Sequence, residues 1–377
     1  MGLLFKLRLN AGSHHRDYCP VSYRIAADSP LLQGRDASGL VLLGPGGEPV
    51  KLQCEREDGG IVLRWIVERL SAGGTADYEV HAGSGAGLPA ETDDAVRLLE
   101  KDDRIDVLIG GRFFTSFVYD PQLAKPYIGP VIGPYGDSFT RLDFETREHP
   151  HHRSIWVAIG DIDGTDFWNE RDGHGKQLIA EFADKTDGPV FAKLTANLNW
   201  CNARGKAQLA ERRTVTFYNT PAGGRFIDLD VELFADKDRL EFGATKEAGP
   251  LGIRVAESMK ADNGGTIVNA FGSIGEKECW GVRAPWCDYY GEAGGHTLGI
   301  AAFDHPDNDD YPTYWHVRDY GMLAANNLYF AGGKLFRKGQ SIRYRHRVYF
   351  HEGDTAAAKV ADKFQDYIHP PEISIAD

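Results

Sequence analysis

Three runs of period-two alternation constrain this chain more than any other feature. Val190, Ala192, Leu194, Ala196, Leu198 and Trp200 alternate with Lys193, Thr195, Asn197 and Asn199. Ile227, Leu229, Val231 and Leu233 alternate with Asp228, Asp230 and Glu232. Ile342, Tyr344, His346, Val348 and Phe350 alternate with Arg343, Arg345, Arg347 and Tyr349. Successive side chains of a strand point to opposite faces, so each run has one buried and one wet face. Strands of this kind predict antiparallel sheets stacked face to face. With 44 Gly and 18 Pro against 3 Met, the composition favours turns and short strands over long helices. One helix is predicted, near the end. Asp354 or Thr355 caps a run through Ala357, Val360, Phe364 and Tyr367, and Pro370 and Pro371 stop it.

The 377 residues allow two units. Residues 1–90 read as a small β domain with strands near 3–9, 20–27, 48–57, 60–70 and 77–82. The stretch AGSGAGLPAETDDA at 82–95 reads as a linker, and 96–370 as the larger domain. The expected fold is all-β: a small N-terminal β-sandwich, a large antiparallel β-sandwich and a C-terminal helix.

Charge and hydropathy remove several partner classes. A net charge of −13 repels phosphate backbones, which argues against nucleic acid. No stretch has the apolar length of a membrane span, and residues 1–12 carry no export signal, so a cytoplasmic location is expected. Five scattered cysteines with no CxxC read as free thiols. The G-x-S-x-G, P-loop, Rossmann and H-E-x-x-H patterns are absent.

Chemistry-bearing residues fall into four segments. The first holds His149, Pro150, His151 and His152 just before a strand at 155–162. Pro150 biases His149 towards an extended conformation, which would point His149 and His151 one way and His152 the other. A bend at Pro150 would instead bring His149 and His152 together. Imidazoles in a stiff loop suit a metal site or an acid–base pair. The second segment, 160–170, carries Asp161, Asp163, Asp166, Trp168 and Glu170, and reads as an Asx-stabilised turn rather than a calcium loop. The third places Lys246, Glu247, Arg254 and Glu257 at strand ends, as an ion-pair network or a substrate clamp. The fourth, 304–321, repeats the His-Pro pattern at His305 and adds Asn308, Trp315, His316, Arg318 and Tyr320. Alternation puts His316 and Arg318 on one face. Trp156, Trp168, Trp280, Trp286 and Trp315 all lie in or beside these segments. Indole faces flanked by His, Arg and carboxylates suit a sugar ring.

Lys125-Pro126-Tyr127 with Pro130, residues 148–156 (EHPHHRSIW), 160–168 (GDIDGTDFW), 245–254 and 304–321 together resemble a soluble bacterial family that automated naming labels "PmoA" or methane oxygenase. The resemblance covers roughly residues 100–350. It implies a β-sandwich similar to the galactose-mutarotase supersandwich, in proteins that accompany sugar dehydrogenases and isomerases.

Three readings follow. The first is a carbohydrate-active enzyme of epimerase or lyase type acting on a sugar, a keto-sugar or a glycoside. In it His149, His152, His305, His316 and Glu257 supply acid–base chemistry. Trp156, Trp168, Lys246, Glu247, Arg254, Trp286, Asn308, Trp315, Arg318 and Tyr320 hold the substrate. The second is a metal-dependent version, in line with the oxygenase label, with His149, His151 and His305 around zinc, manganese or iron. The third is a sugar-binding protein without catalysis. A homo-oligomer is compatible with each. All of the catalytic readings require the two His-Pro loops to meet in one cavity.

Overall fold

The structure, a computed structural model, describes residues 2–26, 28–32, 39–57, 59–83, 94–142 and 148–376. Two eight-stranded antiparallel sheets stack face to face and hold most of the chain. The first, here the site sheet, runs in the order Tyr314–Arg318, Met322–Asn326, Ala248–Arg254, Ile155–Ile159, Tyr127–Ile128, Arg112–Val118, Arg104–Ile109, Val96–Glu100. The second, the back sheet, runs Lys176–Thr186, Phe191–Cys201, Ala207–Tyr218, Gly224–Phe234, Ser341–Glu352, His296–Asp304, Trp286–Ala293, Thr266–Asn269.

The alternating rows fill the space between them. Leu194, Ile227, Leu229, Val231, Leu233, Val348 and Phe350 of the back sheet meet Ile155, Val157, Leu251, Ile253, Leu323 and Val317 of the site sheet in one buried cluster. Each such side chain contributes roughly 1.5–3 kcal/mol against the entropy of ordering the chain. Register holds the rows in step: Ile227 faces Val348, and Ile253 faces both Ile155 and Leu323. Trp65 and Trp200, the two tryptophans outside the candidate segments, are core residues at 0% exposure.

The outer face of the back sheet is covered by a C-terminal helix. Val360 and Phe364 of that helix pack on Phe226, Trp286, Phe303 and Tyr349. The helix is shorter than the sequence pattern suggests, spanning Val360–Ile368. Asp354 does cap, accepting from the backbone N–H groups of Ala356 and Ala357, but it caps a turn. Lys359 then takes a left-handed φ of 52°, which breaks the helix from that turn.

The N-terminal strands form two further sheets, ordered Glu372–Ala376, Gly2–Asn10, Thr75–Ala82, Leu40–Leu43, Pro49–Val50 and Arg16–Ala26, Gly60–Leu70, Gln53–Glu57. Leu7, Leu9, Val21, Leu63, Trp65 and Val80 make their shared core. Two features had no clear sequence signal. Leu40–Leu43 is a strand, and the chain's last strand, Glu372–Ala376, pairs with its first. Buried Arg16 fixes that return by donating to Asp366 Oδ1 at 3.0 Å and to the His369 carbonyl at 2.9 Å. Most of the expected linker, 84–93, lies outside the described residues. Among the described residues, no helix is long and apolar enough to cross a membrane.

Candidate functional site

The outer face of the site sheet carries the densest chemistry. Paired residues in antiparallel strands share a face, so the registers define a row. Tyr127 is opposite Trp156, Trp156 opposite Gly252, Gly252 opposite Ala324, and Ala324 opposite His316. A second row joins Arg254, Met322 and Arg318. His316 and Arg318 therefore do share a face, and it is the face of Trp156 and Arg254. Three strand spacings separate His316 from Trp156, about 14 Å. Gly252 and Ala324 keep the floor between them low. Gly252 is required there, since a Cβ at this position would lie 2.6 Å from Cε2 of the Trp156 ring.

At one end of this floor the His149 turn folds over the indoles. The His152 N–H donates to the His149 carbonyl at 3.0 Å, closing a tight turn around Pro150 and His151. Arg141, buried beneath, donates to the carbonyls of Glu148 (2.7 Å) and His149 (3.2 Å) and anchors the turn. The expected extended conformation of His149 is not what forms. His149 has φ 48°, as Ser154 has 52° and Glu170 52°, all in the left-handed region. Such strain persists only where surrounding contacts impose it, and it collects at functional sites. The bend stacks His149 against His152 with ring centres 4.9 Å apart and an 11° interplanar angle. The stack continues to Tyr320 on one side (4.7 Å from His149) and Trp156 on the other (5.0 Å from His152).

Charge is arranged around this stack. Glu148 Oε1 accepts from His149 Nδ1 at 2.5 Å, and its Oε2 accepts from Arg254 Nη2 at 2.5 Å. Arg254 is fully buried, with its guanidinium carbon 4.7 Å over the Tyr320 ring. Partial burial alone would raise the Glu148 carboxyl. Hydrogen bonds from Arg254 and His149 outweigh it and hold the group below the usual range. Beneath His151 and His152, Lys125 (1% exposed) donates to the Trp168 carbonyl at 3.0 Å and to Glu170 Oε1 at 2.7 Å, and Arg153 reaches the same oxygen at 2.5 Å. Burial lowers the Lys125 ammonium, against the pull of Glu170. Burial likewise holds His152 well below its ordinary value and His151 down at about 4, with the Lys125 charge adding to both. Both imidazoles are neutral at pH 7.

At the other end, Arg318 Nη1 donates to Glu276 Oε1 at 2.7 Å and its guanidinium lies 5.2 Å from the Trp280 ring centre. Trp280 is half-buried and meets His316 edge-on at 6.2 Å. His316 is 6% exposed, neither ring nitrogen makes a well-formed hydrogen bond, and burial with the Arg318 charge pushes it down to about 3. Lys246 is exposed, and its ammonium lies 3.6 Å from Glu247. Glu257 sits at the rim, 4.0 Å from Arg254 and paired with Lys260.

The two His-Pro loops do not meet, which overturns the acid–base site built on both of them; any proton chemistry on this face rests on the His149 turn alone. His305 packs against Tyr367 of the C-terminal helix (5.2 Å), on the outer side of the back sheet and so across the sandwich from His149. Its loop is closed by structural bonds. Buried Asp304 accepts from the Thr313 N–H and from Asn308, and Asn308 exchanges bonds with the Arg345 backbone. Both oxygens of Asp304 and the whole Asn308 amide are thus taken up locally. Trp286 lies under the C-terminal helix, and Trp315 faces the core, its indole N–H on the Ala284 carbonyl. The expected open indole faces are also not there: Trp156 and Trp168 are each 1% exposed, beneath His152, and support the imidazoles rather than a ligand. The half-exposed rings on this face include Tyr127, Tyr314, Tyr320 and Trp280.

The metal set His149, His151 and His305 is not assembled, because His305 is across the sandwich. Nearly parallel stacked rings such as His149 and His152 do not aim their in-plane lone pairs at one point, and a metal takes imidazole nitrogen in the ring plane. Among the described residues no three His, Cys, Asp or Glu side chains are placed to hold one ion. The second segment is an Asx turn, with Asp161 accepting from the Gly164 N–H and Asp166 from those of Trp168 and Asn169. His174 bonds the Gly175 carbonyl. Sequence reasoning assigned no role to Glu148, Lys125, Arg153, Glu170, Tyr127 or Glu276. All but Glu276 sit inside or beside the runs 125–130, 148–156 and 160–168 that carry the family resemblance, and that was their signal.

Among solved structures, the chain is similar to a protein in glycosyl hydrolase family 38 from Enterococcus faecalis, with 9% identity and a TM-score of 0.49. That likeness covers 99% of this chain and 47% of the other, so the chain spans about half of its length. A variant of the GH36 α-galactosidase AgaA from Geobacillus stearothermophilus matches at 12% identity and a TM-score of 0.27, over 59% of this chain and 29% of the other. No curated protein matches the sequence. A family model matches residues 104–365, which include the whole of the site face from Lys125 to Met322. The chain belongs to that family, DUF6807, a family of unknown function.

Proposed function

We propose that the outer face of the site sheet binds a sugar, an oxidised keto-sugar or a glycoside of one, and that His149 moves a proton in an isomerase- or lyase-type reaction. The observation that carries this reading is the state of His149. Its side chain is 40% exposed, yet its Nδ1 is bound to Glu148, and Glu148 is held by fully buried Arg254. A carboxylate on Nδ1–H fixes the tautomer and leaves Nε2 as the proton acceptor. It also stabilises the imidazolium once the proton arrives.

With a keto-sugar, Nε2 takes the proton from the carbon beside the carbonyl. The C–H electron pair moves into the new carbon–carbon double bond, and the carbonyl oxygen takes the negative charge. Burial pushes the Tyr320 hydroxyl up to about 12, so it stays protonated and is available to donate to that oxygen. Return of a proton gives the isomer or epimer, and expulsion of a β-substituent gives elimination. Half-exposed Tyr127 and Trp280 provide apolar ring faces, and Arg318 with Glu276 provides donors and acceptors for hydroxyls.

The test is solvent exchange. Aldoses, keto-sugars and glycosides are incubated with the protein in D2O, and NMR follows the loss of C–H signals. Wild type should exchange at least one of them. His149→Gln should slow that exchange roughly 100-fold or more, and Glu148→Gln should shift its pH profile. Exchange at the wild-type rate in His149→Gln would refute the assignment, and saturable binding without exchange would leave a sugar-binding protein.

A further inference from the structure

A charged residue stands in one of the apolar rows. Arg225, Ile227, Leu229, Val231 and Leu233 share one face of Gly224–Phe234, and the last four fill the core between the sheets. Arg225 is opposite Phe350, also a core residue, so it continues the row to the end of the sandwich. Its guanidinium carbon lies 5.0 Å over the Phe114 ring. Among the described residues it has no ion pair, and its Nη1 is sealed from solvent without a hydrogen-bond partner. Burial pulls its pKa down to about 10, the sign of a cation with no counter-charge. In the loop that leads into the same strand, Thr220 is 3% exposed and its hydroxyl is also unpartnered.

Both residues line a cavity of about 900 Å³ between the N-terminal sheets and the end of the sandwich. Ile66, Tyr78, Ile109 and Val190 give it apolar walls. It shares no residue with the His149 face. The volume is within the range of small-molecule sites. Arg225 is half-buried and has no counter-charge among the described residues, and an anion that brings its own oxygens supplies one. Contact with a ligand requires the guanidinium and the hydroxyl to turn towards the cavity. One guanidinium fork and one hydroxyl match a planar, singly charged, two-oxygen group. Glu48, Glu68 and Asp94 line the cavity together with Lys51, Arg69 and Arg112, so the Arg225 charge is the single excess, which matches a monoanion better than a dianion such as phosphate.

We propose that this cavity is a binding site for a small-molecule carboxylate with an apolar body, its carboxylate on Arg225 and Thr220 and its body against the apolar walls.

Isothermal titration with octanoate, octanol and inorganic phosphate tests this. Octanoate should bind one per chain, at least tenfold more tightly than octanol, and phosphate at millimolar concentration should not displace it. Arg225→Met keeps the apolar stem and should weaken octanoate at least tenfold. Thr220→Val should weaken it severalfold, and Arg225→Lys should fall between Arg225→Met and wild type. Equal affinity for octanol and octanoate, displacement by phosphate, wild-type affinity in Arg225→Met, or no binding of octanoate would each overturn the proposal. If Arg225→Met does not fold, the octanoate–octanol contrast on wild type and the Thr220→Val result decide it.

Discussion

Gly252→Ala is the sharpest structural test of the site face. Gly252 lies opposite both Trp156 and Ala324 in the sheet, and the Trp156 indole lies over it. A methyl group here would be 2.6 Å from Cε2, 2.9 Å from Cζ2 and 3.0 Å from Nε1 of that indole. Ordinary carbon–carbon contact is about 3.5–4.0 Å, so the ring must shift by about 1 Å. It has little room, being 1% exposed and wedged between His152 (5.0 Å) and Trp168 (5.3 Å). Overpacking of this kind costs about 1–3 kcal/mol. Restricting the unfolded chain returns roughly 0.4–1 kcal/mol. The net loss is therefore about 1–2 kcal/mol, a fall of a few degrees in Tm for a chain of this size. Gly224→Ala is the control, because its nearest neighbours are at ordinary contact, 3.6 and 3.7 Å. The assay is urea unfolding with near-UV circular dichroism. Gly252→Ala should lower the midpoint and change the tryptophan signal, and Gly224→Ala should do neither. A Trp156→Phe background should abolish most of the loss. A midpoint for Gly252→Ala within error of wild type would refute the packing described.

Stability should fall with acid earlier than the carboxylates alone would cause. Burial depresses His152, His316 and His346, the last two to about 3, below an unfolded value near 6.5; their contribution is complete above pH 6.5 and is lost as pH falls towards the folded values. Burial raises Asp304 to about 6, which acts in the opposite sense between about pH 4 and 6. His151 and His305 are lowered as well, and Asp187 is raised with Asp304, so the depressed imidazoles outnumber the raised carboxyls; each proton in excess removes about 1.4 kcal/mol per pH unit near pH 5, readable from urea midpoints at stepped pH. His346→Leu should reduce that slope, and an unchanged slope would contradict it. Arg16→Met should cost about 1.5–3 kcal/mol, because it removes the buried guanidinium from Asp366 and leaves that carboxylate with His14 and Lys363; hydrogen exchange should then report loss of protection in Glu372–Ala376 before the sandwich opens.

How much of this was legible in the sequence depends on the kind of information. Period-two rows named the sheets and their inner faces, because alternation is a local property of a strand, but the other face of Ser341–Glu352 is not wet throughout: Arg347 and Tyr349 lie buried under the C-terminal helix. The same rule, applied to Trp315 beside His316, puts the indole on the inner face and not with a substrate, and the structure keeps it in the core. What alternation cannot tell is which side of a sandwich a loop joins. His305 follows Asp304 at the end of a back-sheet strand, and His149 precedes a strand of the site sheet. Two similar His-Pro motifs thus end on opposite sides, with nothing in either motif to say so. Glu148, Lys125 and Glu170 were hidden for another reason. Their roles come from burial and from partners as far as 106 residues away, as with Glu148 and Arg254.

The most direct measurement of the central claim is NMR of the protein labelled with ¹⁵N in its imidazoles, titrated with the sugar that exchanges fastest. The account predicts that His149 and, through the stack, His152 shift on binding while His305 and His346 stay in place. Shifts at His305 with His149 unmoved would contradict it.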